Sequence, residues 1–452
     1  MRRIVTLAVI FSSLAAVFAV HCAAQNILSA PVDAKSSIDS NHGQAWYRKL
    51  DAQWGGHLKL RGSAAWPDKD SFYRPVGTRT YYDGSIEGRL KHKLHLSDRT
   101  YFEAHYEVVL SGGDKRRKGK ELNRRYGDLP FLLKSSIDDD RRLLNLTRTI
   151  READDYLFYH RLDRLSITWL HDWGVMRLGR QAVTWGNGLL FNPMDLFNPF
   201  SPTDIERDYK VGDDMFFSQT PLYEIGDLQL LYVPRRDPDD YQVSWKESSL
   251  AGKVHFAAGT TEFDLMAGVH YEDTVLGIGS SGYLADAAWR CDLVAGFPSD
   301  SEGQHSYFSI VANIDYAWVW AHRNFYGFLE LFYNDSGIDD YSNASDDPNL
   351  TQRLARGELF TLGRTYLAGH VQVELHPLLN AYLTVINNLT DPSGILQPRL
   401  TWDATQDLQI VLGGNLSYGP KGTEYGGFKV PGLDGYVKAQ NSAFFLWLSY
   451  FF

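Results

Sequence analysis

The side chains best placed to act on a ligand fall in three neighbouring stretches. Arg161, Asp163 and Arg164 lie within Tyr-His-Arg-Leu-Asp-Arg-Leu at 159–165. Arg177, Arg180 and Gln181 follow, with Leu-Gly-Arg-Gln at 178–181. Asp195, Asp204, Glu206, Arg207, Asp208 and Lys210 come next. Guanidinium and carboxylate groups mixed in this way form charge-assisted hydrogen bonds and shape a local field. They do not make up a bond-breaking apparatus. The chain has no Gly-x-Ser-x-Gly nucleophile elbow and no His-Glu-x-x-His. His370 and His376 share a strand face but lie too far apart to hold a metal alone. Asp138-Asp139-Asp140 and Asp213-Asp214 are rich in oxygen but suit at most a surface cation. No catalytic residue, metal site or cofactor is expected. The chemistry implied is electrostatic sorting of what passes.

Such residues must be held by a rigid frame, and the frame is written in period two. In 56–62, Lys59 and Arg61 alternate with Leu58 and Leu60. In 86–96, Arg89, Lys91 and Lys93 alternate with Leu90, His92 and Leu94. In 101–110, Glu103 and Glu107 alternate with Phe102, Tyr106 and Val108. Alternation of this kind is one polar and one apolar face of a strand. If Leu96 pairs with Thr100, Lys93 faces Glu103 and Arg89 faces Glu107, opposite charges across one ladder. The alternation returns at 263–271, 308–318, 367–376, 396–403 and 408–417. Ionisable residues on the inner face and apolar residues outside invert the pattern of a soluble barrel and match a porin.

The last strand, 441–452, sets Phe444, Leu446, Leu448, Tyr450 and Phe452 on one face. A bare apolar edge invites aggregation in water, whereas a closed barrel in lipid has no edge. This stretch resembles the terminal strand of bacterial outer-membrane barrels. The resemblance implies an assembly machinery that reads the final aromatic. Aromatics make up 14% of the chain, enough for girdles at two membrane interfaces. The net charge of −10 argues against a nucleic-acid partner. Met1-Arg2-Arg3, an apolar run and Cys22-Ala23-Ala24 read as a signal peptide over 1–24. Residues 25–52 are expected to be a periplasmic lead-in, and 53–452 the barrel. Cys291 is then the only cysteine of the mature chain, so no internal disulfide can form.

Connectors alternate between short and long. Short ones fall at 97–99, 171–174, 259–261, 320–324, 376–379 and 404–406. Long ones fall near 63–78, 113–153, 186–212, 235–247, 335–357 and 419–440. The expectation is an all-β, antiparallel, up-and-down transmembrane barrel of about 18 strands, with 16 the alternative. Short turns would face the periplasm and long loops the outside.

Two loops carry information. Lys115, Arg116, Arg117, Lys118, Lys120, Arg124 and Arg125 form a basic run. It reads as a solvated loop or as a contact for anionic lipopolysaccharide, with a helical turn at 143–150. In 186–212, Asn192-Pro193, Asn198-Pro199 and Ser201-Pro202 forbid a continuing helix. A Pro-stiffened loop that also holds Phe191, Met194, Leu196, Phe197 and Phe200 should pack inside the barrel mouth. There Asp195, Asp204, Glu206 and Arg207 would border a narrowed passage. Alternation puts Arg180 on the wrong face of its strand. Either a bulge at Gly179 re-aims it or Arg180 lies above the lipid band; a structural reading makes Arg180 and Asp163 a buried pair that pins the loop.

Gly179, Arg180, Gln181, Trp185, Gly186, Phe191, Asn192, Pro193 and Asp195 match a Gly-Arg-Gln…Trp-Gly…Phe-Asn-Pro-x-Asp signature. By it the chain resembles a largely uncharacterised family of proteobacterial outer-membrane porin-like barrels, distantly similar to alginate-export and capsule-surface barrels. The resemblance implies the barrel and its location, not a substrate. Together these readings describe a Gram-negative outer-membrane channel for small hydrophilic solutes, surrounded by lipid and lipopolysaccharide. The rivals are a barrel that binds or exports a surface polysaccharide and an outer-membrane enzyme.

Overall fold

A computed structural model describes residues 51–127, 139–203, 209–223, 225–299 and 304–452 of the chain. The expected signal peptide, most of the lead-in, and Asp204, Glu206, Arg207 and Asp208 lie outside the described residues.

The strands are Asp51–Trp66 (β1), Tyr81–Ser97 (β2), Thr100–Gly113 (β3), Thr147–Glu152 (β4), Tyr156–His171 (β5), Gly174–Gln181 (β6) and Asp213–Leu222 (β7). Then come Gly226–Arg236 (β8), Val243–Ala258 (β9), Thr261–His270 (β10), Asp273–Leu284 (β11), Ala287–Phe297 (β12) and Tyr307–Trp320 (β13). The chain finishes with Arg323–Asn334 (β14), Thr365–His376 (β15), Leu379–Asn388 (β16), Ser393–Asp403 (β17), Leu408–Tyr418 (β18) and Ser442–Phe451 (β19). All belong to one antiparallel sheet, and β1 pairs with both β2 and β19, so the sheet closes. Eighteen strands form the ring, as alternation predicts. The nineteenth, β4, pairs only with β5, beyond the point where β6 ends. It stands where a helical turn at 143–150 was expected.

Closure pairs both edges of the ring strands and leaves one face of each to the surroundings. Leu412, Phe444, Leu446 and Ile278 point outward and are exposed. Phe308 and Ile310 share that outward face of β13. Glu107, Asp163, Asp292 and Glu330 point inward and are at most 1% exposed. An apolar outer band on a closed sheet is a membrane-spanning surface. Among the described residues no helix is long and apolar enough to cross a membrane.

The first hairpin shows how register survives a local error. Arg89 lies opposite Glu107 and Lys93 opposite Glu103, as the charge pattern predicts. The end of the ladder differs. Ser97, not Leu96, pairs with Thr100, and the ladder shifts between His95 and Ser97. A bulge there absorbs the extra residue without turning the faces over.

Turns at one end are short. The other end carries the long loops 67–80, 114–155, 182–212, 335–364 and 419–441, but four connections there are brief: 237–242, where a long loop near 235–247 was expected, 271–272, 298–306 and 389–392. The strict short–long alternation therefore fails between β8 and β17, because β8 and β9 extend through most of the expected loop. Tyr271 and Glu272, both at positive φ (51° and 69°), close a two-residue hairpin at that end. Among the described residues the long loops hold two α-helices, Asp114–Tyr126 (α1) and Pro348–Arg356 (α2). The Asp347 side chain accepts from Leu350 N at the start of α2, and left-handed Gly357 ends it.

The inner wall is not uniformly polar. Trp185, Met194, Leu196 and Phe197 of loop 182–212 pack against Met215, Leu231, Ala251, Met266, Val275 and Val294. Phe191 joins Val311, Phe332, Leu350, Tyr366, Ile386, Ile395 and Tyr425 in a second apolar cluster. From β7 to β17 the barrel thus has a core like that of a soluble protein, made by loops folded onto its inside.

Candidate constriction of the lumen

From β1 to β6 the inner wall is a ladder of charge. His57 Nε2 lies 3.0 Å from Glu87, and Arg61 donates to the same carboxylate at 3.2 Å. Arg89 pairs with Glu107 and donates to Asp163 at 2.8 Å. Arg161 donates to Glu107 at 2.6 Å and Arg164 to Asp163 at 2.6 Å. Arg177 donates to Thr168 Oγ1 at 3.1 Å. Lys59 is buried in the same wall, with its ammonium 4.6 Å from the Trp447 ring centre. Nearer the short turns, Lys93 lies 4.1 Å over the Tyr101 ring, and Lys91 is exposed.

Three of these residues cannot share a face by alternation, since Asp163 and Arg164 are adjacent. The ladder between β3 and β5 resolves this. Arg164 pairs with His105 and Leu162 with Tyr106, so Asp163 is bulged. The bulge changes the phase of β5 and lets Arg161, Asp163 and Arg164 all reach inward. The bulge expected at Gly179 is absent: the β5–β6 and β6–β7 ladders run through it unshifted. Gly179 has φ +120°, and a Cβ there would meet the Leu165 carbonyl oxygen at 2.2 Å, so its role is close approach.

Arg180 is set into the wall rather than aimed along the bore. It is 1% exposed. Its Nε donates to Asp214 at 3.0 Å, Nη1 to Asp139 at 3.0 Å and Nη2 to the Leu144 carbonyl at 2.6 Å. It seals the seam where β6 stops and segment 139–146 takes over. The expected partner Asp163 is held instead by Arg89 and Arg164. Gln181 is buried beside it and donates to the Met215 carbonyl at 3.1 Å.

Loop 182–212 leaves β6 and crosses to the far wall. Trp185 Nε1 donates to Gln229 on β8 at 2.7 Å. Asn187 donates to Asp292 on β12 through its backbone (2.6 Å) and its side chain (2.8 Å). The N–H groups of Leu189, Leu190 and Phe191 all donate to Glu330 on β14, at 2.6, 3.0 and 2.7 Å. Phe191 stacks on Phe332 with ring centres 4.5 Å apart. Gln397 on β17 donates to the Thr203 carbonyl at 3.0 Å. The returning limb reaches the charged wall. Tyr209 donates to Glu87, Arg89 lies 3.7 Å over its ring, and Arg164 donates to the Lys210 carbonyl at 2.6 Å.

Asp195 sits inside this loop, 3% exposed, paired with Lys210. Burial pushes its carboxyl up to about 7, against the pull of the Lys210 ammonium and of backbone N–H groups. It braces the loop internally. Beyond the loop lies a vestibule of about 1630 Å³, bordered by Phe72, Tyr81, Arg142, Phe197, Arg356 and Phe428 among others.

Of the predicted constriction residues, Arg161, Asp163, Arg164 and Arg177 join one wall with the ladder residues Lys59, Arg61, Arg89, Lys91, Lys93, Glu103 and Glu107. Arg180, Gln181 and Asp195 go elsewhere. Sequence reasoning missed Glu330, Asp292 and Tyr209. Glu330 had a readable signal. It is the lone acid in Phe-Leu-Glu-Leu-Phe at 328–332, and an isolated acid amid membrane-depth apolar residues marks a built site.

No family model matches the chain, and no curated protein matches it in sequence. Solved barrels do match its backbone. OccAB2 of Acinetobacter baumannii aligns with a TM-score of 0.51 at 9% identity, over 88% of this chain and 98% of that one. OccAB4 of the same organism gives 0.51 at 9% identity, over 90% and 99%. OccAB3 gives 0.50 at 10% identity, over 89% and 99%. At such identity the likeness is one of fold: this chain has the barrel architecture of those outer-membrane proteins.

Proposed function

We propose that this chain is a Gram-negative outer-membrane channel for small hydrophilic solutes, with a preference for anions. One observation carries the reading. Loop 182–212 is fixed to the far wall through Glu330 and Asp292, and its returning limb meets the charged wall from β1 to β6. An inward loop facing a charged wall is how a wide barrel becomes a selective one. Between the levels of Glu87 and Lys93, the inward positions of the wall hold six cations (Lys59, Arg89, Lys91, Lys93, Arg161 and Arg164) against four acids (Glu87, Glu103, Glu107 and Asp163), while toward the two ends Arg61 and Arg177 are balanced by Asp51, Asp83 and Glu152. That surplus favours anions, and the mixture of signs disfavours a path for a charged polysaccharide. The Gly-Arg-Gln…Phe-Asn-Pro-x-Asp resemblance supports the same class of barrel. Export of an alginate-like polymer remains the second reading on that resemblance alone.

A cleaved leader over 1–24, the lead-in 25–52 and recognition of the last strand by the assembly machinery belong to this proposal. Phe444, Leu446, Leu448 and Tyr450 alternate on the outward face of β19, as that recognition requires. Lipopolysaccharide is proposed as the surrounding partner. Planar-bilayer recording of the refolded protein tests the function. Steady unitary currents with a reversal potential displaced toward anions support it. A silent membrane, or currents that favour cations, would defeat it.

A further inference from the structure

The most cationic run of the chain is on α1, but its charge is largely neutralised within the loop. Arg116 and Lys120 hold Glu152 at 2.6 and 2.9 Å. Arg117 pairs with Asp114, Lys118 with Glu121 at 3.1 Å, and Arg124 reaches Asp154 at 3.8 Å. The short strand β4 is different. Arg148 lies opposite His160 and Arg151 opposite Phe158, with Ile150 bulged between them. His160 and Phe158 in turn lie opposite Val108 and Leu110 on the outward face of β3. Both arginines therefore project from the outside of the barrel at consecutive outward positions. Both are exposed, and neither makes an ion pair among the described residues.

What lies around them is ordered along the wall. The Arg151 guanidinium is 5.8 Å from the Tyr156 ring centre. Tyr106 and His160 face outward with ring centres 5.6 Å apart. Further down the same face of β5 come Leu162, Leu165 and Ile167. The sequence from guanidinium to amphipathic ring to aliphatic chain is that of a membrane interface, read from headgroup to acyl core. Arginine forks match phosphate oxygens in pairs.

We propose that this outer face, centred on Arg148 and Arg151, binds the phosphorylated glycolipid of the outer leaflet. Its phosphates sit on the two guanidinium groups and its acyl chains run along Leu162, Leu165 and Ile167. The site rests on the outer-membrane placement proposed above.

The test uses the full chain, refolded in detergent free of lipopolysaccharide and titrated with purified lipopolysaccharide under native mass spectrometry. An arginine near an anionic membrane surface is worth about 1 kcal/mol. Arg148→Ala and Arg151→Ala should thus each weaken binding about fivefold, and the double variant about 30-fold. Arg148→Lys with Arg151→Lys should keep most of the binding, and Arg124→Ala with Arg125→Ala should change it less than twofold. Wild-type affinity in the double alanine variant would overturn the site. So would an equal loss in the α1 variant, competition by inorganic pyrophosphate at concentrations equal to the lipid, or undiminished binding of dephosphorylated lipid. Bilayer currents separate the two proposals. A variant that conducts normally but no longer binds lipid supports the lipid site; a wild-type protein that conducts but never binds removes the site alone; one that binds but never conducts supports the site and removes the channel.

Discussion

The two halves of this barrel use buried carboxylates in opposite ways. From β1 to β6, Glu87, Glu107 and Asp163 are matched by guanidinium and imidazole groups on neighbouring strands. The wall there completes itself, and charge stays close to the bore. From β10 to β14, Asp292 and Glu330 form no ion pair among the described residues and are met by backbone N–H groups of loop 182–212. That wall is incomplete until the loop arrives, and the apolar surface beside it is covered in the same act. One half is therefore a field and the other a dock. A loop that must be rigid is best fixed by groups that are costly to leave unpaired.

The comparison is broken most severely at the dock. Glu330→Ala leaves three N–H groups without an acceptor, those of half-buried Leu189 and Leu190 and of buried Phe191. Hydrogen bonds to a charged group are worth about 1.5–3 kcal/mol each, so the loss should be about 4 kcal/mol or more. Urea unfolding in detergent checks the stability, and unitary conductance should rise as the loop leaves the far wall. Equal conductance in this variant would mean that the loop does not narrow the bore.

Next in size is Arg180→Ala. It leaves Asp214 buried without its guanidinium partner, a fault of about 3 kcal/mol. Because Arg180 is sealed in the seam, the reversal potential should stay at the wild-type value. Arg89→Ala should cost less, about 2 kcal/mol, since Arg161 still holds Glu107 and Arg164 still holds Asp163. Its reversal potential should move toward cations. If Arg180→Ala moved the ion bias and Arg89→Ala did not, the charged half would be wrongly drawn.

How much of this was legible follows from the same contrast. The self-completing half is local. Arg89 and Glu107 lie across one hairpin, so alternation and a short turn predict their pairing even with the turn misjudged by one residue. The docked half depends on contacts between residues far apart in the chain, such as Phe191 with Glu330, and no periodicity encodes them. The Pro-stiffened apolar loop told that it must fold inward but not where it lands. Arg180 shows the limit in the other direction. Alternation put it off the lumen face, which is where it is. Its partners Asp139 and Asp214 were out of reach, because segment 139–146 extends the wall in a way that no strand pattern announced.

A smaller effect distinguishes the loops by pH. Asp195 and Glu424 both lie in loops, are both buried, and have carboxyls pushed up to about 7 by that burial. The folded protein then holds protons that the unfolded chain has released, so stability should fall as pH rises from about 4 to about 7. Each group contributes at most about 1.4 kcal/mol per pH unit across that window. Thermal unfolding in detergent between pH 4 and 8 should show the decline. Asp195→Asn should flatten it in part, and adding Glu424→Gln should flatten it further. A slope unchanged in the double variant would mean that neither carboxyl holds its proton.

The mildest change asks whether the charged half faces ions at all. Lys91 is exposed on the inner face near the short turns, and Lys93 rests on Tyr101. Neither carries an ion pair among the described residues, so Lys91→Glu with Lys93→Glu should alter stability by only about 0.5 kcal/mol. The balance of the stretch between Glu87 and Lys93, however, goes from six cations against four acids to four against six. The anion preference should then be abolished, and the change should be largest in dilute salt, where the Debye length exceeds the spacing of the charges. If the reversal potential does not move at low ionic strength, ions do not travel along the β1–β6 wall, and the vestibule must empty by another route.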